Sequence, residues 1–256
     1  MTRLALETFT PFYHFSVDDV FDSFIEVSDR KMPLFEHPFF QFLKQVHNEF
    51  GTNVSLSLFY QKNLNGKMRT LTDVSDSIQD AFTENPWLRL GPHALDYDTP
   101  PYAQSPAEQI EVFDAIYAEI GRFAGSRAMS KWVRLHYFSE SYELAEYLKA
   151  KGVTALLSTD KEAVSYRMPT YAKEHLGKVG SVEYEGMTFV RSHLRVETLV
   201  RDRVSSYEFH GTIESLLTRL GHAVIMTHEC ELAHPEVRAM TVSILRYFKH
   251  HSVRSF

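Results

Sequence analysis

The sequence predicts an α/β fold of about six or seven strand–helix units, forming a single domain over residues 1–256. Three observations carry this expectation. A chain of 256 residues has the length of one α/β barrel. KWVRLHYF (131–138), SYELAEYLKAKG (141–152) and VTALLST (153–159) read as a strand, a helix and a second strand, a βαβ unit. Finally, five short apolar runs each close on a polar cluster: FSVDD (15–19), WLRLGPHALD (87–96), VRLHYF (133–138), TALLSTD (154–160) and VIMTHE (224–229). Parallel strands gather functional side chains at their carboxyl ends in this manner, because the strand aims the residue and the loop is free to vary.

The elements follow in order. Residues 20–30 predict a short helix, and HPFFQFLKQVHNEFG (37–51) a longer one stopped at Gly51. NVSLSLFYQ (53–61) alternates as a half-buried strand, residues 62–72 are polar and read as a loop, and 73–82 predict a helix. After the strand at 87–91, Ser105, Pro106 and Glu108 form a helix-start signal of hydroxyl cap, N1 proline and reaching-back glutamate. Ile110, Phe113, Ile116, Ile120 and Phe123 then repeat at helical spacing. Beyond the βαβ unit, residues 181–200 lack helical periodicity, and Glu185-Gly186 predicts a turn between two strands. GTIESLLTRLG (211–221), HAVIMTHE (222–229) and residues 235–251 predict helix, strand and helix, with Pro235 at N1.

Composition narrows the function classes. A formal net charge of −6, with no dense Lys/Arg stripe, argues against a nucleic-acid partner. No stretch approaches the roughly eighteen apolar residues of a membrane span. The amino-terminal MTRLALETFTPFYHF lacks an uninterrupted apolar core and a small-residue cleavage site, so no signal peptide is expected. Cys230 is the single cysteine, which excludes an intrachain disulfide and suits a reducing, cytoplasmic setting.

The polar clusters supply the candidate chemistry. Asp18 and Asp19 are adjacent at a strand end, where one carboxylate can bind a metal and its neighbour stay free as a base, or both can cap the helix that follows. His93, in GPHALDYD with Asp96 and Asp98 nearby, suits zinc or another transition metal. Arg134 and His136 share one strand face. An inward Arg134 needs an acid partner, and Asp18 is the obvious one. His228 at the end of AVIMTH can act as a general acid. Arg191, His193, Arg195 and Glu197 share one face of TFVRSHLRVE, either lining a barrel or facing solvent.

The order of these clusters resembles the polysaccharide deacetylase family, the NodB-homology group of carbohydrate esterase family four. SVDD resembles its first motif, PHALDY its second, RLHY at Arg134 to Tyr137 its third, STD at Asp160 its fourth and MTH its last. The resemblance implies a distorted (β/α) barrel and a divalent metal cofactor, zinc foremost. It also implies Asp18 as base, Asp19 and His93 as metal ligands, Arg134 holding Asp18, and His228 as general acid. Tyr137, Asp160, Arg191 and Arg195 are the expected substrate-binding residues. Departures from the family pattern are visible too. The second histidine of the metal motif falls at Tyr97, so Asp98, Asp96, His136 or extra water is expected to complete the site. His136 also stands where the family has proline.

The leading expectation is therefore a metal-dependent hydrolase that removes an acyl group, N-acetyl foremost, from a carbohydrate or sugar-nucleotide substrate. Two alternatives remain open on the residues alone. One is a metal-free glycoside hydrolase using carboxylates such as Asp18 and Glu229. The other is a catalytically silent carbohydrate-binding barrel in which Tyr97, Tyr102 and Tyr137 stack on sugars.

Overall fold

Alternation in the first strand explains where the site lies. Tyr13, Phe15 and Val17 are buried on one face, and His14, Ser16 and Asp18 on the other, so this strand is covered on both sides, as central parallel strands are. The computed structural model describes residues 10–161 and 168–256. Along these run β1 (Phe12–Val20), α1 (Asp22–Arg30), α2 (Pro38–Phe50), β2 (Val54–Phe59), β3 (Gln61–Leu64), β4 (Lys67–Thr70), α3 (Gln79–Glu84) and β5 (Leu88–Ala94). There follow α4 (Pro106–Phe123), β6 (Trp132–Val133), α5 (Ala145–Ala150), β7 (Ala155–Ser158), α6 (Thr170–Val179), β8 (Ser181–Tyr184) and β9 (Met187–Arg191). The chain ends in β10 (Leu194–Arg195), α7 (Val196–Arg201), α8 (Ser206–Leu220), β11 (His222–His228), α9 (Pro235–His250) and β12 (Arg254–Ser255).

The strands form two sheets that together make a distorted (β/α) barrel. One has the order β10-β11-β1-β2-β5, all parallel, with β12 beside β1. The other has the order β6-β7-β9-β8, parallel except for the β8/β9 hairpin. On one side the sheets meet where Met129 bridges Leu90 and the Ser130 N–H donates to the Leu90 carbonyl at 2.8 Å. On the other, Ser192 N–H still bonds Ser158 O at 3.2 Å, while the next residue, His193, donates to Val224 O in the first sheet at 2.9 Å. Between the sheets and the helices lies a continuous apolar core rich in phenylalanine, including Phe15, Phe24, Phe40, Phe113 and Phe248.

Several elements follow their local signals. The Ser105/Glu108 capping box forms, Gly51 closes α2 with φ of 71°, Pro235 opens α9, and Glu185-Gly186 turns the β8/β9 hairpin. Others differ. Residues 62–72, read as a loop, contain the β3/β4 hairpin, whose Asn65-Gly66 turn has φ of 54° and 82°. Asn-Gly is the residue pair that a two-residue hairpin turn requires, but this hairpin is mostly solvated and shows no apolar alternation. The helix expected over 73–82 is two 3-10 turns followed by α3. The helix expected to begin at Gly211 begins at Ser206, behind a second capping box of Ser205 and Glu208.

Two corrections bear on the site. The strand expected over 131–138 keeps ladder pairing only at Trp132–Val133, and residues 136–138 turn with φ of 52° at Tyr137 and 53° at Phe138. Two consecutive left-handed residues cannot continue a ladder. The single strand face expected for Arg191, His193, Arg195 and Glu197 does not exist either. The chain changes sheet at Ser192-His193, and Glu197 lies in α7.

Candidate active site

Adjacent side chains on a regular strand point to opposite faces, and both faces of β1 are covered. A bulge between Val17 and Val20, with Asp19 at φ of 59°, alters this at the strand end. Asp18 stays in the barrel interior, 1% exposed, while Asp19 is partly open to the rim.

Asp18 is tightly held. Arg134 Nη1 donates to its Oδ2 at 3.0 Å and its Oδ1 at 3.3 Å, and Ser57 Oγ donates to Oδ1 at 3.0 Å. Arg134 also bonds Ser16 and Ser192, each at 2.7 Å, so one guanidinium joins β1 to the segment between β9 and β10. Burial pushes the Asp18 pKa up, but Arg134, with His93 and His228, outweighs it and holds the carboxyl below its ordinary value. The pairing expected from an inward-facing arginine is thus present.

Asp19, His93 and His136 converge, with one ligand atom from each lying within 4.8 Å of the others. Asp19 Oδ1 is 3.1 Å from His93 Nε2 and 3.4 Å from His136 Nδ1, and those two nitrogens are 3.1 Å apart. The outer nitrogen of each ring faces a backbone carbonyl: His93 Nδ1 lies 2.7 Å from Arg134 O, and His136 Nε2 lies 3.2 Å from Tyr97 O. Donation there fixes the tautomers and leaves two lone pairs and a carboxylate oxygen aimed at one point. Asp19 Oδ1 has no hydrogen-bond donor among the described residues. Burial keeps the His136 pKa below the ordinary imidazole value. Three mutually facing acceptors are an arrangement that a cation resolves, so these residues fit a divalent metal. Of the residues expected near Asp19 and His93, His136 lies within this cluster. Asp98 is exposed and outside the cluster, and Asp96 bonds Gln61 and the backbone of its own loop.

His228 forms the third part of the rim. Its Nδ1 lies 2.7 Å from Glu197 Oε1, and Glu197 Oε2 accepts from Thr227 Oγ1 at 2.9 Å. Burial pulls the His228 pKa down, but the bond to Glu197 and the charges of Asp18, Glu197 and Asp19 together raise it. Period-two spacing marks Glu197 only as part of a polar strand face. Its pairing with a histidine thirty-one residues away has no local sequence signal.

The remaining expected residues fall in two groups. Tyr137 stands beside His136, 4.2 Å between ring centroids, with Tyr97 and Tyr102 near it, and all three tyrosines are exposed. A hydrogen bond with Tyr97 is the main cause that lifts the Tyr137 pKa to about 12. Asp160 and Arg195 instead pair with each other at 2.9 Å, Arg195 lying over the Phe138 ring. Arg191 bonds the Gly177 carbonyl at 3.0 Å. Glu229 is committed elsewhere. Its Oε2 accepts the N–H groups of Phe21 and Asp22 at 2.9 and 3.0 Å, and its Oε1 accepts that of Ser23 at 2.8 Å. It caps α1, which is why neither Asp18 nor Asp19 does.

No family model matches the sequence, and no curated protein matches it. Solved structures do. The catalytic domain of a peptidoglycan N-acetylglucosamine deacetylase from Eubacterium rectale superposes with a TM-score of 0.50 at 10% identity, over 96% of this chain and 88% of that one. The chain thus shares the fold of that catalytic domain. A 4-alpha-glucanotransferase from Thermococcus litoralis superposes with a TM-score of 0.59 at 13% identity, over 96% of this chain but only 37% of that one. The fold is thus common to proteins with differently named activities, and the function must be argued from the rim itself. Among the described residues, no helix is long and apolar enough to cross a membrane.

Proposed function

We propose that this protein is a metal-dependent hydrolase that removes an acyl group, N-acetyl foremost, from an amino sugar. The observation that carries the reading is the Asp19–His93–His136 constellation, which shares one barrel end with the buried Asp18–Arg134 pair and the His228–Glu197 pair. Two imidazoles and a carboxylate suit zinc. When bound, the ion supplies Lewis acidity toward the amide carbonyl and lowers the pKa of water.

The chain's own residues divide the proton work. Asp18, kept ionised by Arg134, accepts the proton of the attacking water. The water oxygen bonds to the carbonyl carbon, the carbon–nitrogen bond breaks, and His228 gives its proton to the departing amine. Glu197 occupies Nδ1 of His228 and leaves Nε2 for that transfer. The products are a carboxylic acid and a free amino sugar. Tyr97, Tyr102 and Tyr137 offer ring faces beside His136 on which a pyranose can stack. The metal-free glycosidase reading loses its second carboxylate, because Glu229 is occupied by three backbone donors. A cytoplasmic setting, which the single cysteine favours, points to a soluble amino sugar or sugar nucleotide rather than an assembled polymer.

The test is elemental analysis of the native chain and its Asp19→Ala and His93→Ala variants, joined to acetate release from N-acetylated sugars. Near-stoichiometric metal that both variants lose, with acetate release that follows the metal, is the expected result. A native chain that takes up neither zinc, cobalt, nickel nor manganese overturns the proposal.

A further inference from the structure

The barrel interior has a second polar feature, distant along β1 from Asp18. His14 shares the inward face of Ser16 and Asp18 but lies near the amino-terminal end of the strand. A cavity of about 880 Å³ is present there, its lining including His14, Ser55, Arg89, Lys131 and Trp132. That volume is within the usual range for small-molecule sites. None of the residues that hold Asp18 or form the Asp19–His93–His136 cluster lines it.

Three independent features point to a ligand. First, His14 is 3% exposed, yet neither ring nitrogen has a hydrogen-bond partner among the described residues. Buried polar atoms without partners are rare in native proteins, and an imidazole brings both a donor and an acceptor. Second, Arg89, Arg127 and Lys131 all line the cavity, and none has a carboxylate partner among the described residues. Arg89 is oriented by donating to the Arg127 carbonyl. In a chain of net charge −6, three unpaired cations around one cavity, with Glu84 the single acid in its lining, make a locally positive site. Third, the cavity has an aromatic wall. Trp132 stacks on His14 at 5.1 Å and meets Phe256 at 4.3 Å.

We propose that this cavity is a second ligand site, for a small phosphate ester carrying a ring. The ring lies against Trp132, Arg89, Arg127 and Lys131 meet the phosphate, and His14 supplies the polar contact at the floor. Three cations match a phosphate dianion better than a single carboxylate. The proposal is independent of the chemistry at the rim.

Isothermal titration of the full chain in phosphate-free buffer tests it, with inorganic phosphate, a hexose monophosphate and uridine monophosphate as probes. At least one ring phosphate is expected to bind about tenfold or more tightly than inorganic phosphate, the difference being the ring's contact with the aromatic wall. Tighter binding of the hexose ester assigns a sugar phosphate, and tighter binding of the uridine ester a nucleotide. The double variant Arg89→Gln/Lys131→Gln, which alters only partly or fully exposed side chains, should weaken binding by about tenfold or more. His14→Phe should weaken it too, and His93→Ala should leave it unchanged. The proposal is overturned by absence of binding to both ring phosphates, by binding that survives the double variant, or by binding lost in His93→Ala.

Discussion

Glu197 Oε1 lies 2.7 Å from Nδ1 of His228, and the pair joins the first residues of α7 to the carboxyl end of β11. A carboxylate in this position does two things to an imidazole: it selects the tautomer and it stabilises the protonated ring. Glu197→Gln retains the shape and removes the charge. The His228 pKa should then fall, so the alkaline limb of the kcat profile should move to lower pH while KM changes little. An unshifted limb would assign the proton transfer to another group.

The site is expected to lose metal when His136 is removed and to keep it when Asp98 is removed. His136→Ala and Asp98→Asn, compared by metal content after dialysis against a weak chelator, make the distinction directly. Retention by both variants would return the third ligand to a different residue.

Arg134 and Asp18 are almost fully buried, with side chains 1% and 2% exposed. Arg134→Met leaves a buried carboxylate with only Ser57 as a donor, and should cost about 3–5 kcal/mol in urea unfolding. Adding Asp18→Asn should recover much of that loss, because the stranded charge is then gone. Equal stability of the single and double variants would show that the two residues do not act as a pair.

His14 and His193 are both held neutral, their pKa values pushed down to about 3 from 6.5, burial being the largest cause for each. The unfolded chain takes up a proton at each as pH falls through 6.5, and the folded chain does not until about 3. Stability should therefore decline as pH drops through that window. At pH 5 each histidine should cost about 2 kcal/mol relative to pH 7. His14→Phe should remove about 2 kcal/mol of the decline, measured by urea unfolding at the two pH values. An unchanged slope would show that His14 is protonated in the native state.

Glu229→Gln should destabilise the fold by roughly 1–3 kcal/mol, because an amide cannot accept at both ends from three N–H donors. The folded fraction of this variant should retain its catalytic activity. Loss of activity in a fully folded variant would reinstate the glycosidase reading.

What the sequence showed and what it concealed divide by distance along the chain. The capping box at Ser105, the C-terminal glycine of α2, the hairpin turn at Glu185-Gly186 and the βαβ order are local, and each was readable from a few neighbouring residues. The strand ends that carry Asp19, His93 and His228 were readable as well, because apolar runs stop there. The apolar spacing around His136 implies a strand, and leaves this residue as one possible ligand among several. Its approach to His93 depends on the left-handed turn at Tyr137-Phe138, and nothing in RLHYF announces two residues of positive φ. Glu197 was concealed for a related reason: period-two spacing suggested one strand where the chain crosses between sheets. The Asn65-Gly66 hairpin was a signal available but outweighed by polar composition.

The turn at residues 136–138 has a wider consequence. It brings an imidazole from the loop after β6 to within 3.1 Å of His93, which is held by a different strand. Three donor atoms around a point are a property of the barrel rim, and different loops can take turns in supplying them. Chains that have made such an exchange would be invisible to any search that asks for fixed intervals between histidines, and would be recovered only by asking which side chains meet in space.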